Sequence, residues 1–174
     1  MKPEVLYIRD ADVDDALDQE IRGLLTTCFT GPQDWVFKER RYYKDPYPHR
    51  WIIRDAQGAM VAHVGGHDRE VLADGSSFRI GGIGEVCVHP NYRGRGFVRA
   101  MLLEIHDELT QWGFDFALLF GAPNVYGSSG YIEVHNLFHG EGQPEERVPI
   151  TAMVKELSGK PWPNTKVYLP GQVF

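Results

Sequence analysis

Apolar and polar positions follow two rhythms along this chain, and the switches between them mark its elements. Val5 to Arg9 has the character of a short strand, after which Leu17, Ile21, Leu24, Leu25 and Cys28 recur at helical spacing. Asp10-Ala11-Asp12 precedes that helix with aspartates able to cap it, and Thr30-Gly31-Pro32 ends it. A second short helix is predicted from Asp34 to Arg41. Beyond Pro46 and Pro48 the rhythm becomes that of strands: Arg50 to Arg54, a turn at Gln57-Gly58, then Met60 to His67 continuing towards Leu72, and a turn at Asp74-Gly75. Glu85-Val86-Cys87-Val88 is a period-two run stopped by Pro90, and Ala100 to Leu103 with Ile105 and Leu109 restores helical spacing. Phe116 to Phe120 and Thr151 to Val154 read as further strands, with a tail from Pro161 folding back. Strand, helices, antiparallel meander, glycine turn and long helix make an α+β order. It predicts a mixed, mostly antiparallel central sheet flanked by helices, with the glycine-rich turn between the fourth strand and the long central helix.

Composition narrows the class. A chain of 174 residues with 43% hydrophobic residues can bury one full core, and no repeat, low-complexity tract or linker divides it, so a single domain over residues 1–174 is expected. There is neither a run of 18 apolar residues nor a charged-then-apolar leader, which predicts a cytoplasmic protein with no membrane partner. The formal charge of -6 argues against nucleic acid and favours a cationic partner such as an amine. Cys28 and Cys87 lie on unrelated segments in no metal or redox spacing and are expected as reduced thiols. His63 with His67 and His135 with His139 lack a third ligand at sensible spacing, so no metal is expected.

The richest chemistry lies between the Glu85–Val88 strand and the long helix, where two glycines and two arginines form the run Arg93-Gly94-Arg95-Gly96-Phe97-Val98. Successive backbone N–H groups in such a turn, with the positive end of the following helix, bind an anion. Arg93, Arg95 and Arg99 add charge-assisted donors. A P-loop would end in Gly-Lys-Ser/Thr, and a dinucleotide fold places its glycines on the first strand with an acid about 20 residues later; neither pattern is present. The run instead resembles the pyrophosphate-binding motif of the GNAT N-acetyltransferase superfamily, Arg/Gln, two residues, Gly, one residue, Gly/Ala, with Val98 at the last small position. Tyr126, followed by Gly130 and Tyr131 after the Phe116–Phe120 strand, resembles a second GNAT segment in the expected order.

That resemblance implies acetyl-CoA or another acyl-CoA as donor. It implies backbone contacts to the pantetheine arm from Val86, Cys87 and Val88, and pyrophosphate contacts from Arg93, Gly94, Arg95, Gly96, Phe97 and Val98. Tyr126 matches the tyrosine near the CoA sulfur and is the candidate acid, while Glu85 is the candidate base on the strand before the cofactor site. The expected reaction is N-acetylation of the primary amine of a small molecule by direct attack. A longer acyl-CoA, a peptide amine, a non-catalytic acyl-CoA sensor and a homodimer remain open. Two GNAT groups acting on amino sugars share further segments. The aminoglycoside 2′-N-acetyltransferases are similar around Cys28-Phe29-Thr30-Gly31 and Asp34-Trp35 and in the closing Gly171 to Phe174; their strand carboxylate sits one position earlier, where this chain has Gly84. The nodulation N-acyltransferase is similar around His49-Arg50-Trp51 and Trp162-Pro163.

Overall fold

The computed structural model describes residues 3–174, which divide into two compact units. The first takes the chain up to Gly66 together with Gly84–Ile105, and the second takes His67–Ile83 and His106–Phe174. Strands β3 (Met60–Ala73) and β4 (Ser76–Val88) and helix α2 (Phe97–Gln111) each contribute residues to both. Among the described residues no helix is long and apolar enough to cross a membrane.

In the first unit β1 (Leu6–Arg9) pairs antiparallel with β2 (His49–Arg54), Leu6 opposite Ile52, and β2 pairs antiparallel with β3, Trp51 opposite Val64. Helix α1 (Asp15–Cys28) follows from its apolar stripe, and its cap is Asp14, whose carboxylate accepts the Leu17 N–H at 2.8 Å. Asp10–Asp12 form a separate 3₁₀ turn, so the expected capping role of Asp10 gives way to a different one described below. The helix buries Ile21, Leu24 and Leu25 against Val36, Phe37, Ile52, Met60 and Cys87. Each such aliphatic side chain contributes roughly 1.5–3 kcal/mol when removed from water. The predicted second helix is a shorter 3₁₀ segment, Asp34–Lys38.

In the second unit β4 runs parallel to β5 (Phe116–Leu119), from Ile80 opposite Phe116 to Ile83 opposite Leu119. β5 pairs antiparallel with β7 (Val148–Glu156), β7 with β6 (Ile132–Gly140), and β6 runs parallel to β8 (Val167–Pro170). A single antiparallel pair, Leu72 with Tyr168, brings β8 back to β3. The inward faces bury Val71, Ile80, Phe116, Leu118, Leu137, Val154, Val167 and Leu169, all fully removed from water. The hairpin joining β3 to β4 turns at Asp74 and Gly75, with φ of 50° and 75°, the left-handed pair such a two-residue turn requires. The Phe174 ring lies against Gly82, where a Cβ would meet its edge at 2.5 Å, and packs with His67 and Phe120.

Candidate active site

The predicted run from Glu85 to Val98 lies wholly within the first unit. β4 ends at Val88, His89 N–H donates to the Val61 carbonyl at 2.8 Å, and Pro90–Tyr92 make one 3₁₀ turn. Gly94 and Gly96 have φ of 76° and 75°, and a Cβ at either would meet nothing within 4 Å. Glycine is therefore needed there for its left-handed backbone, and the surface above the turn is open. Ala100 N–H closes the first helical bond, onto the Gly96 carbonyl at 3.0 Å, so the N–H groups of Phe97, Val98 and Arg99 have no acceptor inside α2. Arg93 Nε donates to the Val88 carbonyl at 3.2 Å, and Arg95 Nη2 to that of Asn91 at 3.3 Å. Neither guanidinium has a carboxylate partner among the described residues. A turn with outward N–H groups and two uncompensated cations fits a phosphate group.

Immediately before it, Glu85 has φ of +49°, uncommon for a residue with a side chain. Its side chain is 4% exposed. Oε1 accepts the Tyr43 N–H at 2.8 Å, whereas Oε2 has no hydrogen-bond partner and lies 3.7 Å from Arg50 Nη1. Burial raises the Glu85 carboxyl to about 7, with the Arg50 charge and the Tyr43 N–H opposing the rise. A carboxylate with one unbonded oxygen that changes charge near neutrality is suited to taking a proton.

Arg50 on β2 holds this region together and was not singled out by its sequence context. It is fully buried; Nε donates to Asp10 Oδ1 at 2.5 Å, Nη2 to the Arg41 carbonyl at 3.1 Å and Nη1 to His63 Nε2 at 3.0 Å. Arg41 also donates to Asp10 twice, at 2.8 Å each. Burial works against the Asp10 charge, but these hydrogen bonds outweigh it and hold the carboxyl below its ordinary value. Arginine can only donate, so His63 Nε2 must accept and Nδ1 carries the proton, which it donates to the Glu85 carbonyl at 3.1 Å. Burial, with the Arg50 charge, lowers His63 to about 3, so it stays neutral and pins the main chain where Glu85 takes its left-handed turn. Tyr47 is 3% exposed and lies flat on Gly65 and Gly84, where a Cβ would fall within 2.7 Å of its ring at Gly65 and on its hydroxyl at Gly84. Phe37 is also buried, whereas Trp35 is 58% exposed.

Tyr126 belongs to the second unit. It ends a one-turn helix, Pro123–Tyr126, and its ring lies on Gly121, where a Cβ would collide with it. The Tyr126 and Tyr131 rings meet edge-on, 6.2 Å between centroids, and Tyr131 is itself fixed by a 2.8 Å hydrogen bond to His106 Nε2. Burial raises the Tyr126 hydroxyl, which has no hydrogen-bond partner among the described residues and keeps its proton at neutral pH. Cys28 and Cys87, on segments far apart in the sequence, belong to one apolar cluster, and both are free thiols. Among the described residues no group of three or more His, Cys, Asp or Glu could hold a metal ion.

A mixed sheet whose fourth strand runs through a buried acid into an open glycine turn and helix N-terminus is the arrangement of an acyltransferase. A family profile described as Acetyltransferase (GNAT) domain matches residues 7–134, and the chain belongs to that family. Its fold is similar to that of the GNAT-family N-acetyltransferase YhbS from Escherichia coli, solved in complex with CoA, at 19% identity and a TM-score of 0.70, covering 98% of this chain and 91% of that one. It is also similar to a GNAT-family acetyltransferase from Brucella melitensis, solved with acetyl-CoA, at 16% identity and a TM-score of 0.62, covering 94% of each chain.

Proposed function

We propose that this acyltransferase moves an acetyl group from acetyl-CoA to the primary amine of a small molecule. The observation that carries the reading is the Glu85 carboxyl, buried and titrating near neutrality, on the strand that runs directly into the Arg93–Val98 turn. A module that only binds acyl-CoA has no use for such a group. The N–H groups from Gly94 to Val98, with Arg93 and Arg95, hold the pyrophosphate, and the main chain of Val86, Cys87 and Val88 holds the pantetheine arm. The N–H of Cys87 or Val88 polarises the thioester carbonyl. Glu85 takes a proton from the attacking amine, and Tyr126 gives its phenolic proton to the departing thiolate. The net charge of -6 favours a cationic acceptor, and amino sugars head the series to be tried.

Calorimetric titration with acetyl-CoA, followed by thiol release against aminoglycosides, polyamines and peptides, tests this. Saturable binding with release for a small-molecule amine is the expected result. Release only with peptides would move the acceptor to a peptide amine, binding with no release for any amine would indicate a sensor, and absence of binding would remove the donor assignment itself.

A further inference from the structure

Across β3, β8 and β6 three side chains stand in one row: Tyr168 is opposite Leu72 on one side and beside Phe138 on the other. Their chain neighbours Val71, Leu137, Val167 and Leu169 fill the core, and side chains alternate along a strand, so this row faces outward. Among the described residues β3 and β8 pair only at Leu72 and Tyr168, and the ladder stops there. Further along, Thr165 Oγ1 donates to Asp74 Oδ2 at 2.7 Å and ties the two segments again. Beside these ties lies a cavity of about 540 Å³, lined by residues that include Leu72, Asp74, Phe138, Arg147, Lys166 and Tyr168, all within the second unit. Sites for small organic ligands usually measure roughly 300–1,000 Å³.

The charges in this lining differ in number and in engagement. The Arg147 guanidinium lies over the Tyr168 ring, 3.5 Å from its centroid, and Lys166 Nζ lies 5.3 Å from that of Phe138. Neither cation has a hydrogen-bond or carboxylate partner among the described residues, and Arg147 Nε is closed off from water as well. Asp74, the carboxylate of the lining, already accepts from Thr165. The Tyr168 hydroxyl donates to the Gly140 carbonyl at 2.5 Å, so its ring is fixed, and stacking on it holds the guanidinium in place without using any of its donors. In a chain of net charge -6, two uncommitted cations against one occupied carboxylate make a local attraction for an anion. The single surplus positive charge matches a monoanion better than a phosphate, and the aromatic and aliphatic floor matches a planar apolar body. We propose that this cavity is a second ligand site of the protein, taking a small aromatic carboxylate. The ligand's carboxylate bonds to Arg147 and Lys166, and its ring lies against Leu72 and Phe138. None of these residues belongs to the Glu85–Val98 region, and binding here requires no acyl transfer.

Equilibrium dialysis of the full-length chain against cinnamate, with and without acetyl-CoA, tests the proposal. The expected result is saturable binding of one equivalent in the low-millimolar range or tighter, unchanged by acetyl-CoA and weakened by salt. Cinnamamide, which keeps the planar body and lacks the charge, is expected to bind about 10-fold more weakly. Arg147→Gln should weaken cinnamate by about 10-fold. Lys166 is exposed, so Lys166→Glu reads the same site without disturbing the packing, and it should weaken cinnamate by at least about 5-fold at an unchanged Tm. Absence of saturable binding, cinnamamide binding as tightly as cinnamate, displacement of cinnamate by acetyl-CoA, or unaltered affinity in Lys166→Glu would each overturn it.

Discussion

Changing Glu85 to glutamine removes a titrating group while keeping the side chain's size and its acceptor for the Tyr43 N–H. The consequence for stability has a definite pH signature. The carboxyl titrates at about 7 in the folded chain against an ordinary value of 4.5, because burial outweighs the attraction of Arg50. Below 4.5 both folded and unfolded chains hold the proton, and Glu85 costs nothing. Between the two values the unfolded chain releases its proton while the folded chain keeps it, so stability falls as pH rises; above about 7 both are ionised and the loss levels off. At about 1.4 kcal/mol per pH unit inside that window, wild type should lose about 2.5 kcal/mol relative to Glu85→Gln between roughly pH 5 and pH 8. With the side chain 4% exposed, solvent screening takes little from this figure. Urea unfolding of both proteins at half-unit pH steps, followed by tryptophan fluorescence, measures the difference directly, because groups common to the two proteins cancel. A difference that stays constant within about 0.5 kcal/mol across that range would refute the displaced titration and, with it, the reason for reading Glu85 as a base.

Other outcomes are equally specific. On the reading of Glu85 as base, kcat/KM should rise through pH 7 in wild type, and Glu85→Gln should lose about 10²–10⁴-fold together with that rising limb. Tyr126→Phe should lower kcat by roughly 10²-fold while leaving acetyl-CoA affinity within about 2-fold, by calorimetry; equal losses in both would make Tyr126 a binding residue. Arg93→Ala should weaken acetyl-CoA binding by about 10–100-fold with little change in Tm, and an unchanged Kd would remove Arg93 from the phosphate site. Gly84→Ala drives a methyl group into the buried Tyr47 ring, 2.9 Å from Cζ, and should cost about 1–3 kcal/mol in urea unfolding. Its cost should fall by more than half in a Tyr47→Leu background, and a full cost there would show that the ring is not what excludes the side chain.

The glycine turn was legible in the sequence because its requirement is local: Gly94 and Gly96 must take left-handed backbone, and Pro90 must stop the strand before them. α1 and the Asp74-Gly75 hairpin were legible for the same reason, one from its apolar period and the other from its turn residues. Order along the chain then sufficed to place Glu85 before the turn and Tyr126 after β5. What the sequence could not carry were relations between segments far apart in it. Nothing around Arg50 says that it is fully buried and bonded to Asp10, Arg41 and His63, and nothing around Glu85 says that its carboxylate is shut away from water. The charge of Glu85 near neutrality follows from that burial, and a pKa is a property of surroundings that only packing assembles. Cys28 and Cys87 lie on elements that acquire a common side only when α1 covers the sheet, and β8 closes against β3 through one residue pair with no local signature. Local backbone chemistry was thus written in the order of the residues, whereas the electrostatics of the site arose from long-range contacts, because desolvation and hydrogen bonding depend on which segments exclude water together.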